Sequence, residues 1–471
     1  MKQRANRGCV LYGVGFFVGM PLLLVVIGLL VIAGRERASK RMLNERLDKI
    51  VAEGLPVDDA TMLNFTNSLT STQDTTAWLA VLGELTSNEF TKSAQDVPIF
   101  SATVEIIVPA PEHAWAEEKV TREFLATWSE LENEISRLSM RQLEPQAKSV
   151  RFLTEFNSLN TLLPQTQNMR SAARLLMLRG QVAIYDRNSA KAKQSIEALL
   201  GCSRTIAGEP ILVSKLVHMA IDSLAMDVLR SALNHDVLSE RDLIALLPRV
   251  LDGINISPQW KIAMQGERAM MLPVFKHPEL ATDSETIRWL PGRSADTLHY
   301  LDFIEQVLAV PDGDFDQFRA GLSKVELELK SRLDGTVLQK YDSVMTAMMA
   351  PAVASAGNAF ISDAVQHRMA ALCIGIRVYE KRNTRMPSSL DELTSLELGE
   401  LNLDANSLLP PGGLPFGYRI EDDQVLLWGF DLNHAATTPA FSASKSTAYS
   451  APHWTRPQRS MAVLAEWLKH G

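Results

Sequence analysis

One uncharged stretch near the N-terminus constrains the fold of this chain more than any other feature. Residues 8–34 read GCVLYGVGFFVGMPLLLVVIGLLVIAG and contain no Asp, Glu, Lys or Arg. About 20 apolar residues already span the hydrocarbon of a bilayer as a helix. A cleaved signal peptide has a shorter apolar region, of about 7 to 15 residues. The stretch therefore predicts an uncleaved transmembrane helix that contacts the lipid bilayer through residues 8–34.

The charges that flank this stretch support two opposite orientations. Positive residues precede it and follow it: Lys2, Arg4 and Arg7, then Arg35, Arg37, Lys40, Arg41, Arg46 and Lys49. Their count alone places the rest of the chain in the cytoplasm, but long domains translocate largely regardless of charge. A short basic N-terminus before a single apolar run is the usual bacterial signal-anchor layout, so we expect an extracytoplasmic domain. Gly15 and Gly19 form a G-x-x-x-G pattern through which two copies can associate as a homo-oligomer.

Composition describes the remainder of the chain as globular protein. At 471 residues, the chain exceeds what one core usually supports, so two packed units with appendages are expected. The net charge of -8 and the pI of about 5.7 argue against a nucleic-acid partner, because such binding depends on clustered Lys and Arg. Cys9, Cys202 and Cys373 match no metal-binding spacing. Cys202 and Cys373 either form a disulfide or are buried free thiols, and we expect free thiols.

Helical periodicity dominates the body that we assign to residues 35–357. A basic juxtamembrane helix follows the anchor, and residues 172–208 predict two helices around a turn at Asp186 to Ser189, as in a tetratricopeptide-like αα-hairpin. Ser239 and Asp242 predict a capping box. One apolar stripe indicates a core-facing helix and comprises Phe124, Trp128, Leu131, Ile135 and Leu138. No fixed period extends over three units, so the body is predicted to be an irregular helical-hairpin array, with an extended segment at residues 99–108.

Residues 358–434 predict a small α+β module. Its helix has an apolar stripe that comprises Ile361, Val365, Met369, Leu372, Ile376 and Tyr379. Ser389 and Glu392 predict a capping box for a short second helix. Alternating apolar residues in 414–431 predict a β-hairpin turned at Glu421 to Gln424. Because an isolated hairpin is marginal in water, we expect it to pack on Leu372, Ile376 and Tyr379.

The remaining residues, 435–471, are rich in Ala, Ser, Thr and Pro. They predict a mobile low-complexity tail with a short terminal helix.

The order RVYEKRNTRMPSSLDEL…LLPPGGLPFGYRIEDDQVLLWGFD resembles the C-terminal module of type II secretion pseudopilins. Nearly the whole chain, through GLPVDDATMLNF, DTTAWLAVLGEL, AARLL and MQGERAMM, resembles a family of uncharacterised bacterial single-pass membrane proteins with this terminal module. The resemblance implies an inner-membrane location and a helical body, but no activity. Two features depart from pseudopilins. RGCVLYGVGFF lacks the glutamate that registers pilin subunits, and only Asp431 and Asn433 remain where the major pseudopilin binds calcium.

No motif in the sequence predicts a catalytic, cofactor-binding or metal-binding residue. Asp312, Asp314 and Asp316 have the spacing of an EF-hand but lack its glycine and its last glutamate, so they indicate an acidic helix start. Ser442 and Lys445 form an S-x-x-K in the predicted tail without its usual companion motifs.

Two further sets of polar residues have structural interpretations. Glu267 and Arg268 are interpreted as an ion pair that joins two helices. The nine histidines are scattered, which is more typical of packing or capping than of zinc binding.

Two functional classes follow from these observations. The first is a membrane-anchored helical scaffold that binds another envelope protein. The second is a membrane-tethered hydrolase whose site the sequence does not reveal. Converging acids and histidines with shifted pKa values in a pocket favour the hydrolase, and a broad groove without them favours the scaffold.

Overall fold

The computed structural model describes residues 33–100, 108–158, 161, 163–280, 293–336, 339–340, 343–350, 352–398, 401–402, 408, 416–421, 424–428 and 441–443. Within these residues the chain is mainly helical, which confirms the predicted fold class at that level. The predicted transmembrane helix lies outside the described residues except for residues 33 and 34. So does most of the predicted extended segment at 99–108.

The first described helix, α1, covers residues 33–52 and corresponds to the predicted juxtamembrane helix. The helices that follow are α2 (Asp59–Leu69), α3 (Thr75–Leu85), α4 (Asn88–Ser93), α5 (Glu118–Thr127), α6 (Ser129–Arg141), α7 (Pro164–Tyr185), α8 (Ser189–Ile206), α9 (Leu212–Asn234), α10 (Glu240–Leu251), α11 (Ser257–Lys276), α12 (Arg293–Ala309), α13 (Phe315–Leu333), α14 (Val344–Met349) and α15 (Val353–Asn383). Two 3₁₀ turns cover Pro278–Leu280 and Leu390–Ser395.

The described strands are short. They are β1 (Thr70–Ser71), β2 (Ser149–Val150), β3 (Glu397–Leu398), β4 (Leu401–Asn402), β5 (Gly417–Glu421), β6 (Gln424–Trp428) and β7 (Phe441–Ala443). β1 and β2 pair in parallel, β3 and β4 pair antiparallel, and β5, β6 and β7 form an antiparallel sheet in that order. Strands were expected almost only at 414–431, so these short additional pairs correct that expectation.

Local sequence signals account for several helix starts. The Asp58 side chain accepts a hydrogen bond from the Thr61 backbone N–H at the start of α2. Ser239 and Asp242 form the predicted capping box of α10, and Asn188 caps α8. These bonds satisfy backbone N–H groups that have no partner within the helix.

The predicted αα-hairpin is confirmed as α7 and α8. They are joined by residues 186–188, and α9 packs against both helices. The apolar stripe at 124–138 is not on one continuous helix, because α5 ends at Thr127 and α6 begins at Ser129. Trp128 lies at this break and is partly buried against the core.

The described residues form two large hydrophobic cores, which we call the first core and the second core. The first core contains the buried faces of α3, α6, α7, α8, α9 and α10 and the C-terminal half of α15. The second core contains those of α1, α11, α12 and α13 and the N-terminal half of α15. Val365 of α15 contacts both cores. Helix α15 therefore joins the two cores.

The C-terminal helix begins at Val353, before the module boundary that we predicted at 358. The predicted hairpin is confirmed as β5 and β6, with Glu421 opposite Gln424. Phe416 and Leu427 are buried in the first core together with Leu372, Ile376 and Tyr379. The hairpin thus shares its core with the helices of the body.

Three details of this region differ from the predictions. Ile420 is 41% exposed, since the tip of the hairpin extends beyond the core. Ser389 makes no capping bond, because Glu392 accepts hydrogen bonds from Ser388 and from the Tyr379 hydroxyl. The predicted mobile tail contributes β7, which pairs with β6.

One helical stretch among the described residues is long and apolar enough to cross a membrane by composition alone. It covers Val344–Asn383 and has a mean hydropathy of 1.4. A core helix also passes this test, and the apolar side chains of α15 are buried in the two cores.

Candidate functional site

Two acids and two histidines meet inside the protein near the point where α15 passes from one core to the other. His218 and Asp222 lie on α9, and Asp363 and His367 lie on α15. We call these four residues the polar cluster. The side chain of His367 is 2% exposed and that of Asp222 is 6% exposed, so the centre of the cluster is closed to bulk water.

Helical spacing explains how the four side chains converge. In each helix the acid and the histidine are four residues apart, so both lie on one helix face. The packing of α9 against α15 turns these two faces toward each other. Gly253 follows α10 and lies against the His367 ring, where an added Cβ would be 2.4 Å from ring atoms. Only glycine fits there without displacing the imidazole.

Backbone carbonyls orient both imidazole rings. His367 Nδ1 lies 2.8 Å from the Val250 carbonyl oxygen, and His218 Nδ1 lies 2.9 Å from that of Ser203. Because a carbonyl oxygen only accepts hydrogen bonds, both Nδ1 atoms must donate. The Nε2 atom of each ring then faces Asp222. The distances to Asp222 Oδ2 are 3.3 Å from His218 Nε2 and 3.8 Å from His367 Nε2.

The polar atoms of the cluster differ in whether they have a hydrogen-bond partner. Asp222 Oδ1 accepts a hydrogen bond of 2.5 Å from the Ser203 hydroxyl. By contrast, Asp363 Oδ1 and His367 Nε2 are both buried without a hydrogen-bond partner among the described residues. Each such orphaned atom carries an uncompensated desolvation cost of about 1 to 3 kcal/mol.

Burial and mutual charge shift the pKa values of the cluster. Burial raises the pKa of Asp363 to about 8, and the neighbouring Asp222 carboxylate contributes to this. Burial acts to lower the pKa of His367, but the two carboxylates outweigh it and raise that pKa to about 9. Burial lowers the pKa of His218. The arrangement therefore favours positive charge between the carboxylates, supplied by a proton or by a cation.

Glu267 and Arg268 are buried but do not form the ion pair that we predicted. Glu267 Oε1 accepts a 3.0 Å hydrogen bond from the Leu212 backbone N–H, which lies in the first turn of α9. Arg268 donates to the Pro56 carbonyl oxygen from Nε at 3.3 Å and from Nη2 at 3.2 Å. Each residue thus holds a different segment against α11. Burial raises the pKa of Glu267 to about 6.

A second buried set of polar groups surrounds Lys215. Its ammonium donates to the Ala207 carbonyl oxygen and, at 2.6 Å, to Gln259 Oε1. The carboxylate of Glu209 accepts hydrogen bonds from Thr166 and Ser214. Burial lowers the pKa of Lys215 to about 7 and raises that of Glu209. These hydrogen bonds hold the segment that connects α8 to α9 in place.

The other residues considered in the sequence do not converge. Asp314 caps α13 by accepting from the Gln317 N–H at 2.9 Å, which confirms the acidic helix start. Asp312 lies 3.5 Å from Lys261. Ser442 is in β7, whereas Lys445, Asp431 and Asn433 lie outside the described residues. Cys202 and Cys373 are buried free thiols, as expected.

The sequence alone did not predict the polar cluster. A signal was present, since HMAID and DAVQH each place an aspartate and a histidine four residues apart on a predicted helix. Such pairs are common on exposed helix faces, where they form weak ion pairs. The pairing of one such face with another became visible only in the packed structure.

Comparisons of the chain with protein-family models, with curated proteins and with solved structures found no match. The resemblance of residues 358–434 to a pseudopilin module therefore stays an expectation. The function has to be argued from the residues of this chain.

Proposed function

We propose that the chain is a membrane-anchored helical scaffold of the bacterial envelope, which holds its body at a fixed position above the bilayer and there binds another envelope protein. The observation that carries the proposal is the docking of α1. This helix follows the predicted transmembrane segment directly and is not a free linker. Leu43 and Ile50 of α1 are buried in the second core.

Polar contacts reinforce this docking. Arg46 donates to Asp302 at 2.6 Å and to Glu305 Oε1 at 2.9 Å, both on α12. Glu36 accepts from the Ser294 hydroxyl at 2.5 Å. Because α1 is held along its length, a membrane helix that precedes it would transmit its position to the body.

The exposed side of α1 carries basic residues that can contact a bilayer, together with the acidic Glu45 and Asp48. Arg37, Lys40, Arg41 and Lys49 are exposed. Basic residues near anionic headgroups contribute about 1 kcal/mol each. These basic residues support a position of α1 at the membrane surface, whereas the proposed extracytoplasmic side of the body rests on the signal-anchor layout of the N-terminus.

The polar cluster is the observation that favours a hydrolase, because acids and histidines with shifted pKa values converge there. Its burial opposes that function. A substrate must reach the reacting groups, but Gly253 lies against the His367 ring, and the Nδ1 of that ring is bonded to the Val250 carbonyl. The cluster instead joins α9 to α15, which is a structural role that a scaffold needs.

The scaffold is tested by photo-crosslinking in native membranes. A crosslinking residue replaces Leu327, which is 65% exposed on α13, and in a second variant Leu79, which is 41% exposed on α3. We expect a discrete adduct with one envelope protein from one of these two faces. The adduct should weaken in Arg46→Glu, which undocks α1, and persist in the control Lys119→Glu, which changes an 88% exposed cation on α5. Adducts with lipid alone, or an adduct unaffected by Arg46→Glu, would contradict the proposal.

Orientation is tested by labelling an engineered cysteine. Cys202 and Cys373 are buried, so they add little background to the label. Leu79→Cys should react with a membrane-impermeant maleimide in cells whose outer membrane has been permeabilised. Protection until the inner membrane is opened would place the body in the cytoplasm.

A further inference from the structure

We infer that the polar cluster binds one divalent transition-metal ion, with His367 Nε2 and the carboxylates of Asp222 and Asp363 as ligands. One ligand atom from each of these three residues lies within 4.8 Å of the other two. The site links α9 to α15 and hence the first core to the second. This role is separate from binding a partner at the surface.

The distances are close to those of a metal centre. A tetrahedral ion with ligands at about 2.0 to 2.1 Å holds those ligands about 3.3 Å apart. Asp222 Oδ2 already lies 3.8 Å from His367 Nε2 and 3.3 Å from His218 Nε2. A ligand atom of Asp363 lies within 4.8 Å of those of Asp222 and His367, so side-chain rotation would bring the three onto one ion, and His218 is a further donor beside Asp222.

The unpaired atoms of the cluster point independently to a cation. His367 is 2% exposed, yet its Nε2 has no hydrogen-bond partner among the described residues, and Asp363 Oδ1 has none either. A cation between the helices would coordinate both atoms. It would thereby remove the desolvation cost of leaving them unpaired.

The hydrogen bonds made by the proposed ligands resemble those that orient the ligands of known metal sites. Metal-binding histidines usually donate their other ring N–H to a carbonyl or a carboxylate, and ligating carboxylates are themselves hydrogen-bonded. In this protein the Val250 carbonyl accepts a hydrogen bond from His367 Nδ1, and the Ser203 hydroxyl donates one to Asp222 Oδ1. These contacts hold the Nε2 lone pair of His367 toward the centre of the cluster.

The donor types identify the class of metal. Imidazole nitrogen together with carboxylate oxygen suits Zn²⁺, Mn²⁺ and Fe²⁺, whereas Ca²⁺ and Mg²⁺ favour oxygen donors alone. The competing arrangement has no metal and keeps a proton on His367, which then forms a buried ion pair with Asp222. The test therefore has to distinguish a bound metal ion from a proton on His367.

The test uses the full-length chain, purified in detergent with a tag that contains no histidine. We expect about one equivalent of a transition metal by elemental analysis. After removal of the metal with a chelator, added Zn²⁺ should raise the thermal unfolding temperature, and Mg²⁺ or Ca²⁺ at the same concentration should not. Added Co²⁺ should give visible d–d absorption that saturates at one equivalent. That readout needs no variant.

Variants then assign the ligands. Asp363→Asn and His367→Gln should each weaken Zn²⁺ binding at least about tenfold. His299→Gln is the matched control, because His299 lies on α12 at 4.0 Å from Asp302, in a partly exposed His–Asp pair outside the cluster. Asp363 is only half-buried, so its variant remains informative if His367→Gln fails to fold.

Three results would overturn the inference. They are a wild-type protein that contains no metal and gives no response to Zn²⁺ or Co²⁺, an equal response to Mg²⁺, and an equal loss of binding in His299→Gln. The first result would leave the buried ion pair as the occupant of the cluster.

Discussion

The two cores of this protein are packed in different ways. In the first core, helix backbones approach each other so closely that a Cβ added at Gly201 of α8 would lie 2.0 Å from the Ser139 carbonyl oxygen of α6. The second core is filled by rings, since Trp260 meets Phe318 and Phe360 edge to face with centroids 5.3 Å apart in both pairs. A Cβ added there at Gly357 would meet side chains alone, first the Leu322 methyl at 2.2 Å and then the Phe318 ring at 3.4 Å. At Gly201 the first core is therefore limited by backbone, and at Gly357 the second core is limited by side chains that can rotate.

This difference predicts unequal tolerance to substitution. A backbone contact can relax only by moving a whole helix, whereas a leucine can change rotamer. The polar cluster lies where the two kinds of packing meet. It supplies directional polar contacts there, beside the apolar contacts that Val365 makes with both cores.

The largest effect is expected for Ile376→Asp in the first core. Ile376 is fully buried, so the carboxylate would be desolvated without a partner, and we expect a loss of about 4 kcal/mol. Ile420→Asp is the matched control, because Ile420 is 41% exposed. Hydrogen exchange should show α8, α9 and the hairpin losing protection together, while α11 and α12 keep theirs. Loss of protection confined to residues 386–428 would show instead that the module folds independently.

A smaller effect is expected for Gly201→Ala. The methyl group would force α8 away from α6, which should cost about 3 kcal/mol, at the upper end for overpacking. Gly83→Ala on α3 is the control, since nothing lies within 4 Å of its Cβ position. That control should be neutral or stabilise by up to about 1 kcal/mol through helix propensity. Urea unfolding measures both, and equal midpoints would refute the close approach.

Removing the buried charge of Glu267 should stabilise the protein. The raised pKa means that the folded state binds a proton more tightly than the unfolded chain does, so stability falls as pH rises from 4.5 to about 6. Glu267→Gln keeps an acceptor for the Leu212 N–H and should gain about 2 kcal/mol at pH 7. The gain should disappear at about pH 4.5, where the wild-type carboxyl is protonated.

Glu326→Gln is the control for this pH series. Its Oε1 accepts a similar bond of 2.8 Å from the Ala354 N–H, but the residue is only half-buried. A pH-independent difference between Glu267→Gln and the wild type would contradict the role of burial.

The smallest effect is expected for Gly357→Ala in the second core. Rotation of Leu322 should accommodate the methyl group, and the gain in helix propensity offsets the cost, so the net change should stay within about 1 kcal/mol. Urea unfolding under the conditions used for Gly201→Ala gives the comparison. A loss as large as that of Gly201→Ala would show that both cores are limited by backbone.

Predictions were confirmed where all the residues that determine a feature lie within one short segment. The turn between α7 and α8, the capping box at Ser239 and Asp242, and the hairpin register at Glu421 and Gln424 all depend on residues within a few positions of each other. The Ser389 capping box failed because three other residues, Ser388, Tyr379 and Arg385, donate to the Glu392 carboxylate. Closeness in the sequence does not show which of several nearby donors will bond to the carboxylate.

By itself, the sequence determined the helical class of the described residues, several helix starts and the hairpin, because periodicity and capping act within a few turns of one segment. Only the tertiary structure decided that α15 serves both cores and that Glu267 caps α9 instead of pairing with Arg268. It also decided that His218 and Asp222 face Asp363 and His367. The physical reason is that these contacts join segments far apart in the chain, and their geometry depends on how closely the helices pack.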